Sequence, residues 1–107
     1  MSLHFLSPAF VLCLMVAAPV TAGELLITQK DRTFSQTEIT IHPGDILAFK
    51  NADDITHNVF SVSEGMEFEI RRQAPGQTST VPFPKEGTAE VRCSIHPKMK
   101  LIVTVRK

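Results

Sequence analysis

A thiol, an imidazole and a thioether stand close together near the end of the sequence. Cys93, His96 and Met99 are spaced as C-x2-H-x2-M, and a second imidazole, His57, lies further back in the chain. Two His, one Cys and one Met form the ligand set of a type 1 copper site, in which a weak and long axial thioether bond completes a trigonal plane of two nitrogens and one sulfur. These residue types predict that the chain binds one copper ion.

Other metal sites fit this set of side chains less well. Zinc is bound by thiolate, imidazole or carboxylate, so a thioether in the set argues against it. Covalent haem needs a C-x-x-C-H motif, which the sequence lacks. A binuclear copper centre would need a second thiolate, and the only other cysteine, Cys13, lies in the apolar first segment. Copper bound through the single thiolate of Cys93 therefore remains the favoured interpretation.

Such a ligand set suits one-electron chemistry. Cu(I) prefers soft sulfur and Cu(II) prefers nitrogen, so a rigid site with both needs little rearrangement when an electron arrives. Asn58 follows His57 directly, and an amide there can hydrogen-bond across to the Cys93 loop and so fix the two ligand segments to each other. A polar residue at a strand edge is the other interpretation of Asn58, and residue type alone leaves both open.

The first segment of the chain differs from the rest. Residues 1–23 contain no Asp, Glu, Lys or Arg, and an apolar stretch ends in Val20-Thr21-Ala22. Small residues at these positions are typical of a signal-peptide cleavage site, whereas a membrane anchor needs about 20 continuous apolar residues. We therefore expect a signal peptide over residues 1–22 and one domain over residues 23–107, with no membrane span in the mature chain.

The remaining residues predict short strands separated by turns. Apolar and β-branched runs alternate with Gly- and Pro-containing segments, which is typical of an antiparallel sandwich or barrel. Residues 64–70 are ambiguous, since they also fit a short helix. The predicted strands cover residues 24–28, 37–41, 46–50, 57–62, 68–72, 78–83, 89–92 and 101–105.

Several short motifs lie along this domain, namely Pro43-Gly44-Asp45, Phe49-x-Asn51, Asp53, His57-Asn58-Val59, Ala74-Pro75-Gly76 and Cys93 to Met99. These motifs resemble those of plastocyanins and amicyanins, which are cupredoxins. The loop of residues 93–99 is most similar to the ligand loop of amicyanin, and the whole pattern is also similar to plastocyanin-like proteins of methylamine utilisation. The domain is shorter than amicyanin, which leaves the strand count open.

This resemblance implies a Greek-key β-sandwich of short antiparallel and mixed strands with one type 1 copper. By position, the family's ligands fall on His57, Cys93, His96 and Met99. It further implies a periplasmic carrier, monomeric by default, that takes single electrons from a dehydrogenase or other donor and passes them to a c-type cytochrome. A copper storage or delivery protein of the same fold is the alternative.

Composition narrows the classes of partner. Eleven Lys and Arg balance eleven Asp and Glu, which argues against nucleic acid as a ligand. Copper enzymes need further His clusters, and the sequence has four His in all, so we expect no catalysis. Next to the predicted exposed ligand His96, Ile95 and Pro97 are expected to offer apolar contact, and Lys98 and Lys100 to steer acidic redox partners.

Overall fold

The computed structural model describes residues 23–107, which form nine β-strands in two sheets. The predicted signal peptide and Cys13 lie outside the described residues, so that assignment stays a prediction. Among residues 23–107, no helix is long and apolar enough to cross a membrane. The strands are β1 (Glu24–Lys30), β2 (Thr33–Phe34), β3 (Glu38–Ile41), β4 (Ile46–Asn51), β5 (His57–Ser61), β6 (Phe68–Gln73), β7 (Thr78–Pro82), β8 (Gly87–Arg92) and β9 (Lys100–Val105).

Both sheets contain parallel and antiparallel neighbours. One sheet has the strand order β2-β1-β4-β7, and the other has the order β3-β9-β8-β5-β6. β1 runs parallel to β4 and β3 runs parallel to β9, while the other paired strands are antiparallel. Parallel neighbours cannot be joined by a tight turn, so the chain passes through the other sheet between them. The predicted all-β sandwich of mixed strands is confirmed.

The core between the sheets is made of alternate side chains, as the two-residue period of a strand requires. Ile27, Leu47 and Phe49 come from the first sheet, Val91 and Leu101 come from the second, and all five are fully buried. Within the second sheet β8 lies between β5 and β9. Because β5 and β8 are antiparallel, the start of β5 lies beside the end of β8. This pairing places His57, the first residue of β5, near the loop that follows β8 and carries Cys93.

A tight hairpin that the sequence did not predict joins β1 to β2. The pairing of Lys30 with Thr33 leaves only Asp31 and Arg32 as its loop. Both residues have left-handed backbone angles, with φ of 53° and 57°. Two successive positive φ values define a type I′ turn, which usually carries Gly at its second position. Arg32 stands where Gly is usual, so the turn gave no recognisable signal.

The ambiguous stretch of residues 64–70 forms no helix, so the helical alternative is wrong. A turn at Glu64 and Gly65 is closed by a hydrogen bond from the N–H of Met66 to the carbonyl of Ser63 (2.9 Å). The chain then enters β6 at Phe68. Gly65 has φ of 76°, a conformation that interrupts a helix and that Gly adopts at no steric cost. The other predicted strands are present, with ends that differ by up to two residues.

Asp45 ties the turn before β4 to the start of the described chain. Its carboxylate accepts hydrogen bonds from the backbone N–H groups of His42 (2.8 Å) and Gly23 (2.9 Å). These two bonds hold the pKa of Asp45 below its ordinary value. The stability that they contribute is present above about pH 4, the pKa of an unfolded Asp, and is lost as the pH falls through the lower folded value.

We expect Asp45→Asn to reduce the dependence of stability on pH in acid. The neutral amide does not titrate, so the free energy of unfolding should fall less between about pH 5 and pH 2 than it does in the wild type. Urea unfolding at the two pH values measures this difference. Asp54→Asn removes an exposed carboxylate and is the matched control. Equal acid losses in the wild type and Asp45→Asn would contradict the assigned role of Asp45.

Candidate metal centre

Three of the four predicted ligands lie on the loop that joins β8 to β9. Cys93 and Met99 are buried and His96 is half-buried. The N–H of Met99 donates to the carbonyl of His96 (2.9 Å), and the Arg92 guanidinium donates to the carbonyl of Pro97 (2.9 Å). Both bonds hold the loop in a compact turn. The short loop therefore presents a thiol, an imidazole and a thioether at one end of the sandwich.

The fourth predicted ligand, His57, is the first residue of β5 and is fully buried. Its Nδ1 lies 3.8 Å from the sulfur of Cys93. Metal bonds to thiolate and imidazole are about 2.3 and 2.0 Å long for zinc, so one ion of similar size can reach both atoms. The His57 and His96 rings are 5.0 Å apart between centroids and inclined at 71°. The structure thus brings these two imidazoles and the thiol to one place.

The His96 ring provides a test of whether these residues fit a metal. Its Nε2 is buried and has no hydrogen-bond partner, which is costly for a polar atom unless something else binds it. Burial lowers the pKa of His96, and the nearby His57 and Arg32 lower it further while Asp53 opposes them. A lowered pKa keeps the imidazole neutral, as a metal ligand must be. Both observations fit a metal-binding imidazole.

His57, Cys93 and His96 lie close together, and Met99 is buried in the same loop as Cys93 and His96. Among residues 23–107, no three His, Cys, Asp or Glu side chains meet the spacing of a formed metal cluster. Cys93 and His57 are the pair in direct contact, and His96 packs edge-on against His57.

Asn58 links the two ligand segments. Its Oδ1 accepts a hydrogen bond from the N–H of Ser94 (2.7 Å), and its Nδ2 donates to the hydroxyl of Ser94. The backbone N–H of Asn58 points at the sulfur of Cys93 at 3.5 Å. An N–H directed at sulfur stabilises the thiolate form, which is the form that binds metal. One residue therefore contacts both the loop and the sulfur.

We expect Asn58→Ala to loosen this link. Loss of its amide should lower the free energy of unfolding by about 1–3 kcal/mol and weaken copper binding by about 10–100-fold, as is usual when a partner of a ligand is removed. Chemical denaturation and competition with a copper chelator measure the two effects. Ser94→Ala is the matched control, because it removes one of the two bonds and should have the smaller effect. Equal effects of the two substitutions would contradict this role of Asn58.

The family follows from a comparison of sequences. Residues 21–106 match the sequence profile of the copper binding proteins of the plastocyanin/azurin family. The chain belongs to this family. Its cofactor is therefore one type 1 copper ion, as the ligand set predicted, and the resemblance to cupredoxins is confirmed.

One sequence relative and two solved structures are similar to this cupredoxin. Methylamine utilization protein MauL of Methylorubrum extorquens is 30% identical over 86 residues, which cover 79% of this chain and 75% of that protein. A reduced Cu(I) form of an amicyanin mutant has a TM-score of 0.72 at 24% identity, over 84% of this chain and 89% of amicyanin. The copper-containing nitrite reductase NirK from Thermus scotoductus also scores 0.72, at 23% identity over 78% of this chain, but only 22% of that protein is covered. These two structures share the fold.

Sequence reasoning named Asp53 only as part of the family resemblance and gave it no role beside His57. Its carboxylate lies 2.6 Å from Nε2 of His57 and also accepts hydrogen bonds from the backbone of Asp31 (2.6 Å) and Arg32 (3.2 Å). Burial alone would raise the pKa of Asp53, but the hydrogen bonds from these three groups outweigh it and lower the pKa. The sequence offered one signal for this contact, which is that Asp53 stands four positions before His57.

The predicted docking residues form an exposed rim on the β8–β9 loop and at the first residue of β9. Ile95 is 50% exposed, and Pro97, Lys98 and Lys100 are exposed as well. The rim thus combines apolar and positively charged groups close to the half-buried His96.

Proposed function

We propose that this cupredoxin is an exported carrier of single electrons. Its copper would be held by His57, Cys93 and His96 with Met99 as the axial ligand. The observation that carries the proposal is the buried contact between the Cys93 sulfur and Nδ1 of His57, 3.8 Å apart. A thiol held against an imidazole nitrogen inside a β-sandwich suits tight binding of a soft metal ion.

The protein contributes rigidity to this chemistry. A bound copper ion supplies one site that accepts and releases a single electron. β5 and the β8–β9 loop fix the ligand positions, and Asn58 holds the two segments together. Cys93 and Met99 are 1% and 2% exposed, so water has little access to the sulfur ligands. A site that is fixed and dry needs little rearrangement as the charge of the ion changes.

Electron exchange would take place at the rim around His96. Redox encounters bury little area and are transient, so a small apolar patch at Ile95 and Pro97 is sufficient. Lys98 and Lys100 would attract acidic partners, namely a dehydrogenase or other donor and a c-type cytochrome acceptor. We propose that the carrier works as a monomer, binds no nucleic acid and catalyses no reaction of its own.

Charge reversal of the rim tests this surface. The double substitution Lys98→Glu and Lys100→Glu should slow association with an acidic redox partner and invert the salt dependence of the rate. Stopped-flow electron transfer at several ionic strengths measures this change. Lys85→Glu is the matched control, because Lys85 precedes β8 and so lies at the end of the strand opposite the loop. Unchanged salt dependence in the double variant would exclude these lysines from docking.

Export to the periplasm rests on the predicted signal peptide. Cleavage after Ala22 would leave Gly23 as the first residue, and its backbone nitrogen lies 2.9 Å from the carboxylate of Asp45. A new amino terminus would therefore be positioned as an ammonium beside a carboxylate. Mass spectrometry of the periplasmic fraction should give a chain that begins at Gly23, whereas a full-length cytoplasmic chain would contradict export.

A copper-retention experiment distinguishes a carrier from a copper-delivery protein. A carrier should pass through repeated cycles of reduction and oxidation in the presence of a strong Cu(I) chelator and keep its metal. The near-complete burial of Cys93 favours this result, because ligand exchange needs access to the sulfur. Loss of copper to the chelator on the first reduction would favour storage or delivery instead.

A further inference from the structure

A buried carboxylate lies behind the proposed copper ligand His57, on the side away from Cys93. The side chain of Asp53 is 7% exposed, and its Oδ2 is 2.6 Å from Nε2 of His57. The other ring nitrogen of His57, Nδ1, faces the sulfur of Cys93. The imidazole therefore stands between a carboxylate and a thiol, with one nitrogen directed at each.

Backbone groups fix the orientation of this carboxylate. Oδ1 of Asp53 accepts from the N–H of Asp31 (2.6 Å), and Oδ2 accepts from the N–H of Arg32 (3.2 Å). These two residues are the left-handed loop of the β1–β2 hairpin, with φ of 53° and 57°. Two successive left-handed residues direct neighbouring N–H groups to one side, where they form a small concavity that binds an anion. The hairpin is thus the support of the carboxylate.

The hydrogen bond between Asp53 and Nε2 of His57 determines which ring nitrogen of His57 carries the proton. A carboxylate oxygen accepts hydrogen bonds, so in a neutral ring the 2.6 Å contact with Asp53 places the single ring proton on Nε2. Nδ1 is then left with a free lone pair directed at the Cys93 sulfur. A half-turn of the ring would break the 2.6 Å bond to Asp53 and turn a carbon, Cδ2, towards the thiol in place of Nδ1.

We propose that Asp53 is a positioning residue of the copper site, held by the turn of Asp31 and Arg32, that fixes His57 with Nδ1 towards the metal and lowers the reduction potential. The inference rests on the proposed function in so far as it takes His57 as a copper ligand. A carboxylate hydrogen-bonded to the far nitrogen of a metal-binding imidazole increases the basicity of that ligand. Its negative charge also stabilises Cu(II) relative to Cu(I).

The neighbouring residue Asp54 provides a matched control. It is exposed and carries the same charge one position along the same loop. Asp54→Asn therefore removes a nearby negative charge and leaves the bond to His57 intact. Comparison of Asp53→Asn with Asp54→Asn separates the effect of the hydrogen bond from that of charge alone.

The first experiment uses the metal-free protein and does not depend on copper binding. In ¹⁵N-correlated NMR spectra, wild-type His57 should be found in the Nε2–H tautomer, with a ring proton that exchanges slowly with water. In Asp53→Asn a mixture of tautomers should appear, while Asp54→Asn should match the wild type. The Nδ1–H tautomer in the wild type would overturn the proposal, even if the variants fail to fold.

The second experiment measures the reduction potential of the copper-loaded proteins. Asp53→Asn should weaken Cu(II) binding about 10–100-fold. A tenfold loss specific to Cu(II) raises a one-electron potential by about 59 mV. Asp54→Asn should change the potential much less. Equal shifts in the two variants, or no shift in either, would overturn the role of Asp53.

The two experiments separate failure of this inference from failure of the proposed function. If the wild type binds no copper but His57 is the Nε2–H tautomer, the proposed function fails and the positioning by Asp53 stands. Suppose instead that the wild type cycles one electron, and that Asp53→Asn leaves both the His57 tautomer and the reduction potential of the copper unchanged. The proposed function then stands and this inference fails.

Discussion

Replacement of Cys93 by serine is expected to abolish the intense visible absorption of the copper-loaded protein. Such absorption needs a thiolate bound to Cu(II), and Cys93 is the sole cysteine among residues 23–107. A serine hydroxyl is a harder ligand that is not ionised at neutral pH and cannot replace the thiolate. We expect complete loss of the band and much weaker copper binding, measured by absorption spectroscopy and chelator competition.

Met99→Leu is the matched control for Cys93→Ser. It removes a sulfur atom from the same loop and keeps the thiolate, and Met99 is also buried. Because the axial thioether bond is weak and long, this variant should remain coloured and change mainly in reduction potential. Persistence of the visible band in Cys93→Ser would refute the ligand assignment.

The largest expected loss of stability follows from Phe49→Ala. The Phe49 ring is fully buried and packs against Phe34 and Phe68, with centroids 6.2 and 6.3 Å away. Removal of a buried phenyl ring typically costs about 3–5 kcal/mol of unfolding free energy, through lost burial and the cavity that is left. Urea denaturation of the metal-free protein should show this loss without contributions from copper.

Phe60→Ala is the comparison for this substitution. Phe60 lies in β5 and is only partly buried, so less apolar surface is lost when its ring is removed. A loss of less than about 1 kcal/mol in Phe49→Ala would mean that the core relaxes into the space, contrary to the close packing of protein interiors. Equal losses at the two positions would also contradict the assigned core.

The local parts of the site could be predicted from the sequence. Cys93, His96 and Met99 lie within one loop, so their spacing alone indicates that they share a neighbourhood. His57 is distant in sequence, and its place beside Cys93 depends on the pairing of β5 with β8. That pairing was expected only through the resemblance to known families. All strands except β2 were predictable, because short apolar and β-branched runs are separated by Gly- and Pro-containing turns.

The parts that escaped prediction depend on contacts between distant segments. The Asp31 and Arg32 turn lacks the usual Gly, and its left-handed backbone is stabilised in part by the Asp53 carboxylate from another loop. Asp53 was recognised only as part of the family resemblance, because nothing near it in the sequence shows that His57 and the hairpin meet there. Local propensity cannot reveal a bond whose partners are brought together by the fold.

The central claim is that Cys93 and His57 hold a copper ion that exchanges single electrons. The most direct measurement is the visible absorption spectrum of residues 23–107 after addition of one equivalent of Cu(II), followed by a mild reductant and then an oxidant. We predict an intense band that appears at one copper per chain, bleaches on reduction and returns on oxidation. A protein that stays colourless, or a band that does not return, would contradict the account.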